Sequence, residues 1–484
     1  MTRLVGAADR ADVVVVGAGV VGTAIARTLA RYALDCVLVD AARDVGTGTT
    51  KANTAILHTG FDAKPGSLES RLLTRGSALL REYAAATDIP VEHTGALLVA
   101  WTPDQVASLP DIEENARRNG YLAVRRVGVA ELYTREPRLG PGALAALEIP
   151  DESIICPWTV PLAFAVEAVT AGVRLLLGAS VTGSGPAGDG GHELATTRGP
   201  LRARWVVNAA GLGSDTIDRM FGGDGFTIRP RRGELIVFDK LARALLGSIV
   251  LPVPTARTKG VLVAPTVYGN VLLGPTAEDV ADRSDVATTA SGLTALLAAG
   301  RRILPGLAGE EVTATYAGLR AATEHSDYVI SVDGRRRYAC VAGIRSTGLS
   351  ASLGIAEHVV AALGEVGLPL RLRAAAPLPC IPYIGEAGRR PYQDAERIAA
   401  DPAYGEIVCP CERVTRGEIR DALASVLPPA DLGGLRRRTR ATNGRCQGFF
   451  CGAAVSRLFA EAQAGSPAPG QVPLSSRTRR GWGR

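Results

Sequence analysis

The sequence predicts an α/β protein in which a doubly wound domain is interleaved with an α+β domain and followed by a small helical domain. Three observations predict this organisation. The apolar run DVVVVG at 12–17 leads through a glycine turn into a helix, and CVLVD at 36–40 follows as a second strand. Two later segments, at 203–215 and 338–350, again place an apolar strand before a glycine-containing turn. Four of the eight cysteines lie between residues 409 and 451. The first domain is therefore predicted to be Rossmann-like.

The glycine turn predicts dinucleotide binding. Gly17, Gly19 and Gly22 form GAGVVG directly after a strand and before a helix. Without side chains there, the backbone can approach a pyrophosphate at the helix N-terminus. Asp40 ends the second strand, where an acid can hydrogen-bond a ribose hydroxyl. A glycine motif alone also fits a structural turn, but strand, helix and acid together indicate a dinucleotide. The motif does not decide between FAD and NAD.

The chain is predicted to alternate between the two large domains before it reaches the clustered cysteines. The nucleotide-binding parts are expected at about 10–80, 150–222 and 310–365. The parts of the second domain are expected at about 81–149 and 223–309, so that the two together span residues 10–370. After them we expect a linker at 371–402, the cysteine domain at 403–465 and a disordered tail at 466–484.

Composition excludes several classes of protein. Hydrophobic residues make up 46% and charged residues 21% of the 484 positions, as in globular proteins. No stretch approaches the ~18 apolar residues of a membrane span, and the first apolar run continues into the glycine turn rather than ending a signal peptide. A cytoplasmic location is therefore expected. The net charge of +6 is small for this length, so no nucleic-acid partner is expected.

Three motifs identify the dinucleotide as FAD by resemblance. TGTTKANTAILHTGFDAKPGSL (47–68), NAAGLGSD (208–215) and GIRSTGLSASLGIA (343–356) resemble the D-amino-acid oxidase-like FAD superfamily, over about residues 10–365. The resemblance implies that the first motif passes beside the flavin, the second lies against the nucleotide and the third packs along the isoalloxazine. The residues that it places at the cofactor are Thr50, Asn53, Ala210, Gly211, Gly343, Ser346, Gly348 and Leu349.

Three polar residues are predicted to serve the substrate. His58 lies in the first of these motifs and carries an imidazole suited to accept a proton near neutral pH. Lys259 and Arg320 are cations that can bind an anionic group, the arginine with a bidentate fork. The alternatives are a packing role for His58 and surface positions for the two cations.

The segments around these residues resemble two groups of enzymes. NTAILHTGFDAKPGSL and TKGVLVAPTVYGNVLLGPT resemble glycerol-3-phosphate dehydrogenases and oxidases, and also L-2-hydroxyglutarate oxidoreductases. Both groups act on anionic secondary alcohols, so the resemblance supports that substrate class more strongly than either compound. The sequence departs from the pattern at Thr59 and Thr347, and we expect these small differences to tune specificity.

The clustered cysteines predict a metal centre. Cys409 and Cys411 form one close pair, and Cys446 and Cys451 form another. Zinc ribbons usually carry CxxC pairs, so this spacing favours iron–sulfur, with zinc as the alternative. Thr415-x-x-Glu418 is a capping box that opens a helix after the first pair. The scattered cysteines are expected to be small buried side chains; they are Cys36, Cys156, Cys340 and Cys380.

The cysteine region resembles a known domain. VCPCERVTRGEI and RRRTRATNGRCQGFFC are similar to the bacterioferritin-associated ferredoxin-like domain, over about residues 405–462, and the resemblance implies a 2Fe–2S cluster on the four cysteines. The RRRTR run at 436–440 is interpreted as a solvated face. Docking of an acidic partner and compensation for the anionic cluster are the alternatives.

A flavin domain followed by such a domain resembles the catalytic A subunit of anaerobic glycerol-3-phosphate dehydrogenase, and the large subunits of some amine- and opine-oxidising complexes. The resemblance implies oxidation of sn-glycerol 3-phosphate to dihydroxyacetone phosphate, with His58 taking the hydroxyl proton and Lys259 and Arg320 holding the substrate. Electrons would leave through the cluster to a partner subunit or quinone pathway, through which the protein would be peripheral at a membrane. The alternatives are a hydroxy acid such as L-2-hydroxyglutarate, an imino acid or opine, and a redox-sensing or assembly module without turnover.

Overall fold

A computed structural model describes residues 9–188, 190–254 and 260–465. Its strands are β1 (Asp9–Val16), β2 (Cys36–Asp40), β3 (Ile56–Leu57), β4 (Val91–Glu92), β5 (Ala96–Ala100), β6 (Arg125–Val127), β7 (Ala145–Ile149), β8 (Ser153–Ile155), β9 (Arg174–Leu177), β10 (Val181–Pro186), β11 (His192–Thr196), β12 (Leu201–Asn208), β13 (Arg229–Phe238), β14 (Ile249–Pro252), β15 (Leu262–Pro265), β16 (Val271–Gly274), β17 (Glu278–Asp279), β18 (Val312–Ala322), β19 (Val329–Asp333), β20 (Tyr338–Ala342), β21 (Ile407–Cys409) and β22 (Val414–Thr415). Its α-helices are α1 (Val20–Leu29), α2 (Leu68–Ala86), α3 (Pro103–Arg118), α4 (Val129–Arg135), α5 (Thr159–Thr170), α6 (Ser214–Met220), α7 (Ala290–Ile303), α8 (Gly348–Glu365), α9 (Ala395–Ala400), α10 (Arg416–Leu423), α11 (Leu432–Thr439) and α12 (Gly452–Gly465).

The first sheet has a parallel centre. Strands β9, β2, β1, β12 and β20 lie side by side in this order, and each neighbouring pair is parallel. The valines of β1 are buried because helices α1, α5 and α8 pack together on this sheet. Antiparallel strands β10, β11 and β19 extend its edge. The predicted Rossmann-like domain is confirmed by this strand order.

The second sheet is built from two stretches of the chain. Its strands follow the order β17, β13, β16, β15, β14, β5, β7 and β6, with β18 paired to the other edge of β13. Parallel pairing of β5 with β14 joins the two stretches. The predicted interleaving of an α+β domain with the nucleotide-binding domain is therefore confirmed. The domain boundaries stay predictions; β18, which we placed with the nucleotide-binding parts, pairs along its length with β13.

The C-terminal domain is small and mostly helical. Helices α10, α11 and α12 enclose a core that includes Cys409 and Cys451. The predicted capping box is present: Glu418 N donates to Thr415 Oγ1 at 3.2 Å, and Thr415 N donates to Glu418 Oε2 at 2.9 Å. Arg390, in the segment predicted to be a linker, is 2% exposed and pairs with Glu418 at 2.8 Å. That segment therefore packs against the cysteine domain.

Two predictions have different outcomes at the C-terminal end. Cys380 is exposed, so the prediction that it is buried was wrong; it lies in a stretch without regular structure, where no core covers it. The tail predicted at 466–484 lies outside the described residues. Within the described ranges, helices long and apolar enough to cross a membrane are absent.

The interpretation of the RRRTR run as a solvated face was wrong. Arg438 donates to both carboxylate oxygens of Asp44 at 2.8 Å, and Arg437 donates to Asp44 at 2.6 Å. Asp44 follows β2 in the nucleotide-binding domain and is 4% exposed. Arg440, 5% exposed, pairs with Glu412 at 3.1 Å. The run therefore docks the cysteine domain against the rest of the chain, and we call this interface the docking face.

Candidate active site

The glycine turn between β1 and α1 is too tightly packed for side chains. Gly17 has a φ of +107°, and a Cβ on it would lie 2.4 Å from the carbonyl oxygen of Ala209. A Cβ on Gly22 would lie 1.8 Å from the carbonyl oxygen of Gly17. Gly19 is the N-cap of α1 and places no side chain of its own over the positive end of the helix. The turn has the shape that close approach of a pyrophosphate requires.

Three segments that are distant in sequence meet at this turn. Val20 N donates to Thr50 Oγ1 at 3.1 Å, which ties the 48–51 turn to the start of α1. Ala210 lies against Gly17, since a Cβ on that glycine would be 3.0 Å from the Ala210 Cα. Gly348 is the first residue of α8, and a Cβ on it would lie 3.8 Å from the Val21 Cγ2. These are the three segments that the sequence predicts to contact FAD.

The other predicted cofactor residues lie in the same segments. Asp40 accepts hydrogen bonds from Ala18 N at 2.5 Å and Ala42 N at 2.7 Å, and burial raises the pKa of its carboxyl. Each carboxylate oxygen keeps a further lone pair for a ribose hydroxyl. Asn53 donates to Thr50 O and accepts from Ala55 N, both at 2.7 Å, and so shapes its own loop. The rest are two glycines with positive φ angles, an exposed serine and a buried leucine: Gly211 (+56°), Gly343 (+66°), Ser346 and Leu349.

His58 forms a dyad with a buried carboxylate. Its Nδ1 lies 3.0 Å from Glu152 Oε2, and the Glu152 side chain is fully buried while the imidazole is 24% exposed. A carboxylate that accepts from Nδ1 holds the imidazole in the tautomer whose lone pair is on Nε2. This arrangement suits a proton acceptor, because Glu152 stabilises the imidazolium that forms.

Two hydroxyl residues fix the dyad. Thr59 donates to Glu152 Oε1 from its backbone N at 2.7 Å and from its Oγ1 at 3.0 Å. His58 N donates to Ser350 Oγ at 2.9 Å, which joins the dyad to α8. Thr59 is one of the two departures noted in the sequence, and here it orients Glu152. The sequence reasoning missed Glu152, whose one signal is an acid beside the apolar run SIIC.

Arg320 is a partly buried cation without a carboxylate partner among the described residues. Its Nη1 donates to Thr276 O at 3.4 Å, and the pKa of its guanidinium is lowered by burial and by the charge of Arg231. A Cβ on Gly233 would lie 2.8 Å from Arg320 Nη2, so the glycine leaves room for the guanidinium. A guanidinium in such surroundings suits an anionic ligand.

The face of β18 that carries Arg320 lies against the predicted flavin segment. Tyr316, four residues earlier, donates from its hydroxyl to Asn53 O at 2.8 Å. Thr49 donates from Oγ1 to Leu319 O at 2.6 Å. The chain then continues to His58, so the Arg320 strand contacts the segment that leads to His58. Lys259, the third predicted catalytic residue, lies outside the described residues.

The four clustered cysteines interact in two pairs of thiols, Cys409 with Cys451 and Cys411 with Cys446. Amides of the 448–450 loop, first that of Phe450, lower the pKa of Cys446, whereas burial raises the pKa of Cys451 to about 12. Amides that point at a sulfur favour a thiolate and an anionic cluster. Among the described residues, no three His, Cys, Asp or Glu side chains are arranged to hold a single ion. The paired sulfurs fit the two irons of a 2Fe–2S centre, each of which takes two cysteines.

Comparison with known proteins identifies the family of the two large domains and that of the cysteine domain. Residues 12–362 match the family described as FAD dependent oxidoreductase. The chain belongs to this FAD-dependent oxidoreductase family. Residues 407–461 of the enzyme match the BFD-like 2Fe–2S binding domain. The predicted cofactors, FAD and a 2Fe–2S cluster, are confirmed by these matches.

Two relatives and one solved structure are similar to this FAD-dependent oxidoreductase. A glycerol 3-phosphate dehydrogenase of Caloramator mitchellensis is 34% identical over 456 residues, which are 93% of this chain and 94% of the relative. Dithionite-reduced L-alpha-glycerophosphate oxidase of Mycoplasma pneumoniae with FAD bound is a structural neighbour with a TM-score of 0.71 and 26% identity, covering 76% of this chain and 97% of that one. Mitochondrial L-2-hydroxyglutarate dehydrogenase of Mus musculus is 31% identical over 278 residues, 54% of this chain and 60% of the relative.

Replacing Gly22 with alanine is expected to abolish FAD binding. The new Cβ would lie 1.8 Å from the Gly17 carbonyl oxygen, so the glycine turn itself would have to move. The measurement is the flavin absorbance retained per protein after gel filtration. Gly185→Ala is the matched control, since a Cβ there meets nothing within 4 Å. Full flavin content in Gly22→Ala would contradict the assignment of this turn to the pyrophosphate.

Proposed function

We propose that the enzyme is a dehydrogenase that oxidises sn-glycerol 3-phosphate to dihydroxyacetone phosphate. The observation that carries the proposal is Arg320, a partly buried guanidinium without a carboxylate partner among the described residues, on a strand that contacts the predicted flavin segment. Relatives named for glycerol 3-phosphate support the same substrate, because the match to one of them extends over both cofactor regions.

In the proposed oxidation of the alcohol, each of these residues has a separate role. Arg320 binds the phosphate group, and Lys259 is predicted to assist it or to orient the alcohol. His58 accepts the hydroxyl proton at Nε2 while the C2–H bond breaks, and Glu152 balances the resulting imidazolium. FAD, when bound, supplies the acceptor for the hydride. Thr59 and Ser350 hold the base in place throughout.

The 2Fe–2S domain supports a dehydrogenase rather than an oxidase. A one-electron centre in the same chain gives the electrons an outlet other than oxygen. We propose that they pass on to a partner subunit or a quinone pathway. We further propose a cytoplasmic protein that is peripheral at the membrane through such partners.

Anaerobic bleaching of the flavin tests the substrate. The enzyme is mixed with sn-glycerol 3-phosphate, sn-glycerol 1-phosphate, L-2-hydroxyglutarate, glycerol or an imino acid, and flavin absorbance is followed by stopped flow. We expect rapid bleaching by sn-glycerol 3-phosphate alone. Faster bleaching by L-2-hydroxyglutarate would replace the proposal with the hydroxy-acid reaction, which the Mus musculus relative supports. Faster bleaching by the imino acid would replace it with oxidation of a C–N bond, and no bleaching by any compound would favour a redox-sensing module.

Replacing Arg320 with methionine is expected to raise the apparent Kd for sn-glycerol 3-phosphate by about 10- to 100-fold, because the substrate loses a charge-assisted hydrogen bond. The measurement is the substrate dependence of the bleaching rate. Arg126→Met is the matched control: Arg126 lies on β6 at the far end of the same sheet and pairs with Glu113 at 2.6 Å. Equal Kd values for wild type and Arg320→Met would remove Arg320 from the phosphate site.

A further inference from the structure

Arg440 lies in the docking face. It has a left-handed φ of +73° at the C-terminal end of α11 and is 5% exposed. Its Nε donates to Glu412 in its own domain at 3.1 Å, and its Nη2 donates to Asn270 of the second sheet domain at 3.2 Å. The guanidinium carbon lies 4.1 Å from the centroid of the Tyr268 ring and 5.7 Å from that of Trp158. One side chain of the cysteine domain therefore contacts two aromatic rings of the two interleaved large domains, which together we call the flavin-binding half.

The two rings continue from Arg440 toward the predicted flavin segment. Trp158 and Tyr268 are stacked, with centroids 5.2 Å apart and planes 20° apart. Trp158 Nε1 donates to Lys51 O at 3.1 Å, and Lys51 follows Thr50, whose hydroxyl is bonded at the N-terminus of α1. The Tyr268 hydroxyl lies 2.8 Å from the Cys156 thiol, which anchors the ring in the core. The aromatic pair is thus fixed to the loop that is predicted to pass beside FAD.

At its other end, Arg440 is close in sequence to the cluster. Ala441 is fully buried, and Glu412, which accepts from Arg440 Nε at 3.1 Å, directly follows Cys411 in the chain. An unbroken series of contacts therefore runs from Lys51 through Trp158, Tyr268 and Arg440 to a predicted cluster ligand. Electron tunnelling decays more steeply across empty space than through bonded and packed atoms, so such a series is the kind of path that a transfer between two buried cofactors uses.

We propose that Trp158, Tyr268 and Arg440 form the path by which electrons cross from the flavin-binding half to the 2Fe–2S domain. The inference rests on the proposed function only for the source of the electrons. Substrate oxidation delivers two electrons to the flavin site, and each crossing moves one electron and no atom. The three side chains make and break no bond, and Tyr268 keeps its proton, because burial raises its pKa well above the ordinary value. During substrate turnover an external one-electron acceptor, such as added ferricyanide, takes the first electron before the second crosses; the flash experiment below moves one electron and contains no such acceptor.

Flash photoreduction tests the path without substrate. A laser flash with EDTA as sacrificial donor reduces the flavin, and the reduction of the cluster is followed by its absorbance and by freeze-quench EPR. We expect the crossing to be about tenfold slower in Tyr268→Leu and in Arg440→Met, because each leaves a gap without packed atoms. Tyr268→Phe keeps the ring and should cross at the wild-type rate. Arg302→Met is the matched control, since Arg302 stands 6.0 Å over Trp101 and lies outside the docking face.

Two further measurements distinguish a role in electron transfer from a role only in holding the domains together. Limited proteolysis of the 371–402 segment, in protein with and without cofactors, reports whether the domains stay docked. Titration of the cluster reports its midpoint potential. A slower crossing with normal docking and an unchanged potential supports the path. If Tyr268→Leu undocks the domain, Trp158→Leu on the flavin side gives the same test.

Wild-type crossing rates in docked Tyr268→Leu, Trp158→Leu and Arg440→Met would overturn the path. A slower crossing explained wholly by a shifted potential would overturn it as well. Failure of the proposed function has a different signature. In that case the flash-driven crossing behaves as expected, whereas sn-glycerol 3-phosphate does not bleach the flavin.

Discussion

Replacing His58 with asparagine is expected to slow flavin reduction by sn-glycerol 3-phosphate by about 10²–10⁴-fold, the usual contribution of a positioned general base. Asparagine keeps a polar group of similar reach but cannot accept the hydroxyl proton at neutral pH. The rate constant at saturating substrate should fall, whereas the apparent Kd should change little, because Arg320 provides the charge for binding. Stopped-flow bleaching measures both quantities.

The same experiment on a Glu152 variant tests whether this carboxylate assists His58. Glu152→Gln removes the negative charge that stabilises the imidazolium and leaves a neutral amide beside Nδ1, so the rate constant should fall by about 10²-fold or more. Glu167→Gln is a matched control, since Glu167 is also a buried acid but pairs with Arg27 at 2.7 Å in the helix layer. A wild-type rate in His58→Asn would show that His58 is not the general base. A loss in Glu167→Gln equal to that in Glu152→Gln would mean that burial alone explains the effect.

The parts of the site that follow local rules were predictable from the sequence. A strand, three glycines and a helix are consecutive, so GAGVVG and Asp40 could be placed at a dinucleotide before any tertiary contact was known. The capping box at Thr415 and Glu418 is equally local, and it forms as predicted. The cysteine spacing belongs to the same class of signal, because both pairs are short.

The parts that depend on distant partners were not predictable in this way. Glu152 is 94 residues from His58 in sequence, and only the pairing of β3 with β8 brings them together. Arg438 lies 394 residues from Asp44, and a basic run without a visible acid is ordinarily a solvated face. The sequence shows the charge but not the carboxylate that a different domain presents to it. For Arg320 the reverse holds: it is the lack of a carboxylate within the described residues that marks the site, and only a structure reveals this.

Replacing Asp44 with alanine is expected to lower the free energy of unfolding by about 3–5 kcal/mol, because two guanidinium groups would remain at the docking face without their carboxylate. The cysteine domain should undock first, which limited proteolysis of the 371–402 segment and thermal unfolding would detect. Asp279→Ala is the matched control. Asp279 also accepts two hydrogen bonds from one arginine, Arg231, but it is 59% exposed, so its loss should cost at most about 1 kcal/mol. Equal losses in the two variants would contradict a buried docking pair.

The pH dependence of docking provides a second measure of the same pair. Burial alone would raise the pKa of Asp44, but the hydrogen bonds and charges of Arg438 and Arg437 outweigh it and hold the pKa below its ordinary value. A carboxyl whose pKa is depressed by folding contributes stability above its unfolded pKa of about 3.9 and loses it as the pH falls toward the folded value. Wild-type docking should therefore weaken on acidification below about pH 4. Glu386, paired with Lys240 and Arg413, has a lowered pKa as well and contributes the same sign. The difference between wild type and Asp44→Ala isolates the Asp44 part: it should be constant from about pH 5 to 8 and shrink in acid, and a difference that grows in acid would assign the opposite sign to the pair.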